Sequence, residues 1–155
     1  MSLNHAWIAA HIPHQGVMCL LDEVLGWDAS AIRCRTGSHR LSTNPLRSEN
    51  QLRAVCGIEY AAQAIAVHGA VIALQTNSSP ARGMLASARS VIMHVNRLDD
   101  IDSDLIVTGA RACGDDSALA YEFKIESDLK VLLCGRVTIS LRFPAIETIG
   151  KVFSD

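Results

Sequence analysis

The sequence shows no pattern typical of a disulfide framework, a zinc site or a secretory leader, and no large excess of charge. Its five cysteines are odd in number and contain no C-x-x-C pair, which excludes a paired-disulfide scaffold and fits a reducing cytoplasm. The first ten residues have no basic region followed by an apolar one, so no secretory signal is expected. A formal net charge of -2 argues against a protein that binds nucleic acid by neutralising phosphates.

Internal repeats, low-complexity tracts and linkers are also missing. We therefore expect residues 1–155 to form one domain, and a hydrophobic content of 49% with 19% charged residues is enough for a sizeable core. The acidic stretch 99–104 has no glycine turn and no terminal glutamate at calcium-ligand spacing, so we predict no metal site.

The apolar residues predict an α+β fold with one long helix and several antiparallel strands. We expect a short helix in the first ten residues, one or two strands between 22 and 35 that are broken near 28–30, a loop over 36–50 and a helix over about 51–74. Alternating patterns then predict four strands in a meander, at about 84–97, 104–113, 118–127 and 130–142. A helix that is apolar nearly all round must be buried on most sides, so the sheet should curl around it, as in the hotdog fold. Two such units usually pair, and a dimer is expected.

The long helix has nearly the length of a membrane span, but three polar residues argue against a membrane. Glu59, Gln63 and His68 interrupt the apolar run, and each would be costly on a lipid-facing helix. We therefore predict a helix surrounded by protein, with His68 as a structural residue near the helix end.

Glu59 is the best clue to function, because a carboxylate inside an apolar segment is costly unless it is paired or protonated. On a helix, Cys56, Glu59 and Gln63 share one face, and the small neighbours Ala62 and Ala66 leave room for a ligand. Alternatively, Glu59 is satisfied by an arginine at a dimer interface.

Two segments resemble a known family. Residues 57–63, Gly-Ile-Glu-Tyr-Ala-Ala-Gln, resemble the Glu-x-x-x-Gln helix of the hotdog 3-hydroxyacyl-acyl-carrier-protein dehydratases. Residues 12–24 resemble the N-terminal motif L-P-H-R-x-P-F-L-L-V-D-x-V of that family, with agreement at Pro13, His14, Leu20, Asp22 and Val24. The likeness extends over most of the chain, and it is nearest to the divergent branch encoded with aryl polyene or related polyketide pathways.

The resemblance implies dehydration of a 3-hydroxyacyl thioester on an acyl carrier protein, without a cofactor or metal. A histidine would take the C2 proton while Glu59, with its pKa raised by burial, would assist the departing hydroxyl. Backbone N–H groups around 53–55 would polarise the thioester carbonyl. We expect residues on the helix and on the preceding arginine-rich loop to bind substrate, namely Asn44, Cys56, Gln63, Arg47 and Arg53.

One family residue is absent. Where the family has its loop histidine, this chain has Asn44 followed by Pro45, and an asparagine amide is not a base near neutral pH. His14 is the preferred replacement, reaching the Glu59 pocket across a dimer, while His39 is expected to be exposed. Alternative functions are an acyl thioesterase and a non-catalytic partner of an active dehydratase. Homodimers, and heterodimers with another hotdog subunit, both remain open.

Overall fold

The computed structural model of the chain describes residues 2–79 and 83–141. Two α-helices and six strands occur in these ranges: α1 (His5–His11), β1 (Glu23–Trp27), β2 (Ala31–Thr36), α2 (Gly57–Gln75), β3 (Met84–Met93), β4 (Leu105–Gly114), β5 (Ala118–Ser127) and β6 (Lys130–Ser140). Short 3₁₀ turns lie at Gly16–Met18, Ser38–Arg40 and Ala54–Cys56.

All six strands join in one antiparallel sheet with the order β1-β2-β4-β5-β6-β3. Helix α2 packs on the sheet, mainly against β2, β4 and β5. The sheet side of the core contains fully buried aliphatic residues, among them Ile32, Val107, Ile125 and Leu133. The predicted α+β fold, with a long central helix against an antiparallel sheet, is confirmed.

Several predicted elements agree closely with the structure. Helix α1 lies where a short helix was expected, and the Asn4 side chain caps it by accepting a hydrogen bond from the Trp7 N–H at 3.0 Å. The predicted break between β1 and β2 is also present. There Asp28 Oδ1 accepts hydrogen bonds from the N–H groups of Ser30 and Ala31, as turn-forming aspartates do.

The central helix begins later than the sequence pattern predicts, at Gly57 rather than near 51. Residues 51–53 are extended and Ala54–Cys56 form a 3₁₀ turn, because the backbone bonds to the segment after β3: Leu98 N–H donates to Leu52 O, and Ala54 N–H donates to Asn96 O. Asp99 strengthens this pairing by accepting from the Leu52 N–H at 2.9 Å. These long-range bonds override the local apolar pattern.

The same pairing corrects the third predicted strand. Strand β3 ends at Met93 instead of 97, since residues 96–98 turn towards 52–54. The predicted meander is wrong at this point too: β3 pairs with β6, and β4 pairs with β2. β5 has the predicted bounds, β4 is shifted by one residue, and the predicted end of β6 at 142 lies outside the described residues.

Within the described ranges, one helical stretch, Ala54–Gln75, is long and apolar enough to span a membrane by length and composition. Its most apolar window is 56% buried inside the fold, and the core helix of a soluble protein meets the same criteria.

Candidate functional site

Glu59 and His14 meet within one chain at the start of α2. The Nε2 atom of His14 lies 3.2 Å from Oε1 of Glu59, and the two side chains are 26% and 31% exposed. His14 belongs to a loop between two buried anchors, Ile12 and Cys19, so the loop is held against the core at both ends. The two side chains therefore meet without a partner subunit, whereas His14 was expected to approach Glu59 across a dimer.

Gln63, one helical turn after Glu59, joins the two halves of this site. Its Oε1 accepts from the Leu20 N–H at 2.9 Å, and its Nε2 donates to Met18 O at 2.7 Å and to Glu59 Oε1 at 3.2 Å. The Gln63 side chain is fully buried. It therefore clamps the loop that carries His14 onto the helix that carries Glu59.

The pKa of Glu59 shifts in the direction opposite to the sequence prediction. The hydrogen bond with His14 lowers this pKa, and the bond from Gln63 adds to the effect, while partial burial raises it less. Glu59 is also not wholly buried, because the site opens to the surface at the helix start. At neutral pH the carboxyl group is ionised rather than protonated.

The tautomer of His14 follows from this charge. An ionised Oε1 accepts a hydrogen bond, so the proton of a neutral His14 belongs on Nε2 and the lone pair on Nδ1. The Nδ1 atom is buried and has no hydrogen-bond partner among the described residues. A carboxylate that orients an imidazole in this way is a common acid/base arrangement, and the free nitrogen is the one that accepts a proton.

Asn44, at the position of the family's loop histidine, stabilises the fold through hydrogen bonds of its side chain. Its Nδ2 donates to Ser38 O at 3.0 Å and to the Tyr60 hydroxyl at 2.9 Å, and its Oδ1 accepts from the Leu46 N–H. Both N–H groups of the amide are thus occupied, which leaves them no free donor for a substrate. Tyr60 was not among the predicted site residues, and its hydroxyl also bonds to Ser38 Oγ at 2.7 Å. A buried tyrosine beside Glu59 was the available signal, because such a hydroxyl needs a partner.

A cavity of about 390 Å³ opens beside this network. One wall comes from the loop after His14 and the other from the loop that contains Asn44, with lining residues His5, Gly16, Val17, Cys19, Asp22, Ser38, Leu41, Thr43 and Asn44.

The remaining residues that were predicted to bind substrate lie near the start of α2, and each has its own surroundings. Cys56 is in the 3₁₀ turn before α2, and its thiol contacts Leu46 O at 3.7 Å. Arg53 is exposed, Arg47 is half-buried, and neither forms an ion pair within residues 2–79 and 83–141. The Ala54 N–H, expected to face a thioester carbonyl, is instead bound to Asn96 O.

Two other histidines are buried. His68 bonds through Nδ1 to the Tyr121 hydroxyl at 2.7 Å and through Nε2 to Asp28 O at 2.8 Å, which confirms a structural role. His39 was expected to be exposed, but it is fully buried, because its Nε2 bonds to Ile101 O at 3.0 Å and fixes the 3₁₀ turn against that loop. His39 is therefore not a candidate base.

Similarity to known proteins agrees with this fold. A family model described as ApeP-like, ApeP dehydratase, matches residues 6–144. The dehydratase heterocomplex ApeI:P from Xenorhabdus doucetiae contains a chain with 22% identity and a TM-score of 0.80, covering 96% of this chain and 97% of that one. Zebra fish thioesterase superfamily member 2 has 14% identity and a TM-score of 0.60, with 89% and 95% covered. The E. coli PaaI protein has 11% identity and a TM-score of 0.54, with 76% and 80% covered. No curated protein sequence matches the chain.

Proposed function

Because the chain belongs to the ApeP-like dehydratase family, we propose that it dehydrates 3-hydroxyacyl thioesters carried on an acyl carrier protein, with His14 and Glu59 as the acid/base pair. The aryl polyene setting follows from the family branch that the sequence resembles. The observation that carries this proposal is the 3.2 Å contact between His14 Nε2 and Glu59 Oε1.

The positions of the protons on His14 and Glu59 allow the pair to catalyse an elimination. His14 accepts the C2 proton at Nδ1 as the C3–O bond breaks, and the resulting imidazolium passes its Nε2 proton to Glu59. Glu59 then delivers that proton to the departing hydroxyl, which leaves as water, and the pair returns to its starting charge. His14 is then protonated on Nδ1, and exchange of this proton with solvent restores the Nε2–H tautomer before the next turnover. A positioned acid or base typically contributes about 10²–10⁴-fold to the rate.

In this sequence of proton transfers, Glu59 has a different role from the one that the family resemblance implied. Glu59 does not enter the reaction as a protonated acid, because the hydrogen bond with His14 keeps its pKa low. It acts first by orienting His14 and then by relaying the proton it receives.

Arg47 and Arg53 are proposed to meet the acidic carrier protein or the phosphate of its arm. Neither forms an ion pair in the described part of the chain, and Arg53 is exposed, so its guanidinium is available for charge-assisted hydrogen bonds with an anionic partner. Arg47 already donates long hydrogen bonds to Asn50 O at 3.5 Å and His39 O at 3.4 Å, so it would have to exchange these for the partner's oxygens.

The test is incubation of the full chain with a 3-hydroxyacyl carrier protein, alone and with a second hotdog subunit, followed by mass detection of the enoyl product. We expect Glu59→Gln and His14→Gln to lower the rate by about 10²-fold or more, and the exposed His11→Gln, in the same segment, to leave it unchanged. No product under either condition would overturn the proposal. Thiol release that depends on Glu59 would favour the thioesterase alternative.

A second function, a non-catalytic partner subunit, has specific support. The Nδ1 atom of His14 is covered in the isolated chain, and Asn44 occupies the histidine position with its amide N–H groups already bound. On this reading, product would form only with an active subunit, and Glu59→Ala would leave the output of the mixture unchanged.

A further inference from the structure

Three buried hydroxyl groups lie in a row beside the cavity of about 390 Å³. The Tyr60 hydroxyl is 2.7 Å from Ser38 Oγ, and the Thr36 hydroxyl is 3.0 Å from the same atom. Tyr60 and Thr36 are fully buried, whereas Ser38 is 9% exposed and lines the cavity. Because each hydroxyl has a single proton to donate, the acceptors along the row decide where each proton points.

The protons of Thr36 and Tyr60 are both used within the fold. The Thr36 hydroxyl donates to Leu20 O, because a carbonyl oxygen can only accept. The Tyr60 oxygen accepts an N–H of Asn44 at 2.9 Å, and its own proton goes to Ser38 Oγ, the acceptor within reach among the described residues. The opposite direction, from Ser38 to Tyr60, would leave the proton of a fully buried tyrosine without a partner, which is costly.

The Ser38 hydroxyl is therefore the end of the row, and its proton has no acceptor in residues 2–79 and 83–141. The contact with Thr36 has the geometry of a bond donated by Thr36, whose oxygen already accepts the Ser38 N–H at 3.0 Å. The Ser38 carbonyl is occupied as well, since it accepts from Asn44 Nδ2 at 3.0 Å. A hydroxyl that accepts a bond from a buried neighbour directs its own proton elsewhere, and Ser38 borders the cavity.

Asp22 supplies a complementary acceptor in the same cavity. Its Oδ2 accepts the Gly37 N–H at 2.7 Å, while its Oδ1 has no hydrogen-bond partner among the described residues. A carboxylate repels anions and accepts from N–H and O–H groups. Val17 and Leu41, which also line the cavity, are apolar and 63% and 55% exposed. The cavity therefore suits an uncharged chain with one polar group that has both an acceptor oxygen and a donor hydrogen, as in a secondary amide or a hydroxyl.

We propose that Ser38 is a ligand-binding residue, whose hydroxyl donates to the oxygen of an uncharged amide or hydroxyl group of the substrate while Asp22 Oδ1 accepts the hydrogen of that group. The class of ligand rests on the proposed function, because an acyl thioester on a carrier arm offers amides in the arm and, in some chains, a hydroxyl at the far end of the acyl group. Gly16 and Val17 line the same cavity and follow His14 closely in the chain, so the bound group lies beside the loop that carries His14.

Two uncharged probes distinguish these sources without turnover. S-methylpantetheine presents the polar groups of a carrier arm with its thiol blocked, and hexan-1-ol presents a hydroxyl at the end of an alkyl chain. Binding of each probe to the full chain is followed by NMR titration of the backbone amides. Ser38→Ala removes the donor, Tyr60→Phe perturbs the buried row but keeps the Ser38 hydroxyl, and Thr43→Val removes an exposed hydroxyl from the same cavity.

We expect Ser38→Ala to weaken binding of at least one probe by about 5-fold, the loss expected for one neutral hydrogen bond, and the other two variants to change it by less than about 2-fold. The probe that responds identifies the source of the bound group. If Ser38→Ala does not fold, Ser38→Cys takes its place with the same expectation, because a thiol is only a weak donor.

Four results would overturn the proposal: no binding of either probe, an affinity that Ser38→Ala leaves unchanged, an equal loss in Tyr60→Phe or Thr43→Val, or shifts confined to amides outside the cavity. Neither probe contains a thioester or can be dehydrated in this reaction. Failure of the dehydratase proposal would therefore leave these measurements unchanged, and a working dehydratase would not rescue the role of Ser38 if they failed.

Discussion

Replacement of Gln63 by leucine tests whether one buried amide assembles the site. The substitution keeps the side-chain volume nearly constant while removing the acceptor for the Leu20 N–H and the donor to Met18 O and Glu59. Leu20 is 1% exposed, so its N–H would lose its partner in a dry environment, whereas Met18 is only half-buried and its carbonyl can reach water.

The magnitude follows from those two groups. An unsatisfied buried donor or acceptor costs about 1–3 kcal/mol, so the full penalty at Leu20 and a partial one at Met18 together amount to about 2–4 kcal/mol. Urea unfolding followed by circular dichroism should show this loss as a lower midpoint with an unchanged slope. Gln75→Leu, the same chemical change at the exposed end of α2, should stay within about 0.5 kcal/mol of the wild type.

The Gln63→Leu substitution should change the pKa of Glu59 as well as the stability of the fold. Without the amide N–H, the pKa of Glu59 should rise relative to the wild type, because one of the hydrogen bonds that lowers it is lost. A carboxyl-carbon NMR titration of Glu59 measures this shift directly. The reasoning would be refuted if Gln63→Leu unfolded at the same urea concentration as Gln75→Leu and left the Glu59 titration unchanged.

Three further predictions concern the framework of the site. Gly57→Ala should destabilise the protein by about 1–3 kcal/mol in urea unfolding, because an added Cβ would lie 2.8 Å from the Leu133 methyl groups in a fully packed region; a loss below about 0.5 kcal/mol would contradict this. Burial lowers the pKa of His39, so the unfolded chain binds more protons below about pH 6.5, and stability should fall as pH decreases from there through the lowered pKa. His39→Gln should flatten that dependence in unfolding curves recorded at several pH values while retaining a donor for Ile101 O. Tyr60→Phe should cost about 1–2 kcal/mol because the hydroxyl serves two buried partners, and an unchanged melting temperature would contradict this.

Local patterns predicted most elements because they depend on short-range chemistry. Alternation of apolar and polar residues placed β5 at its observed bounds, and the turn chemistry of Asp28 separated β1 from β2. The patterns failed where a distant segment competed for the backbone. Residues 51–53 have a helical apolar pattern, yet bonds to 97–99 hold them extended, and neither segment reveals this pairing by itself.

The site shows the same division between local and distant chemistry. The sequence by itself determined that Glu59 and Gln63 share a helix face, because the spacing of four residues follows from helix geometry, and it singled out His14 through the family motif. Only the tertiary structure decided that His14 joins Glu59 in the same chain and that the pKa of Glu59 is lowered rather than raised. Asn44 likewise has the residue type of a ligand-binding side chain, but its amide is used within the fold. The physical reason is that a pKa and a free hydrogen-bonding group depend on which atoms lie within a few ångströms, and those atoms come from segments far apart in the chain.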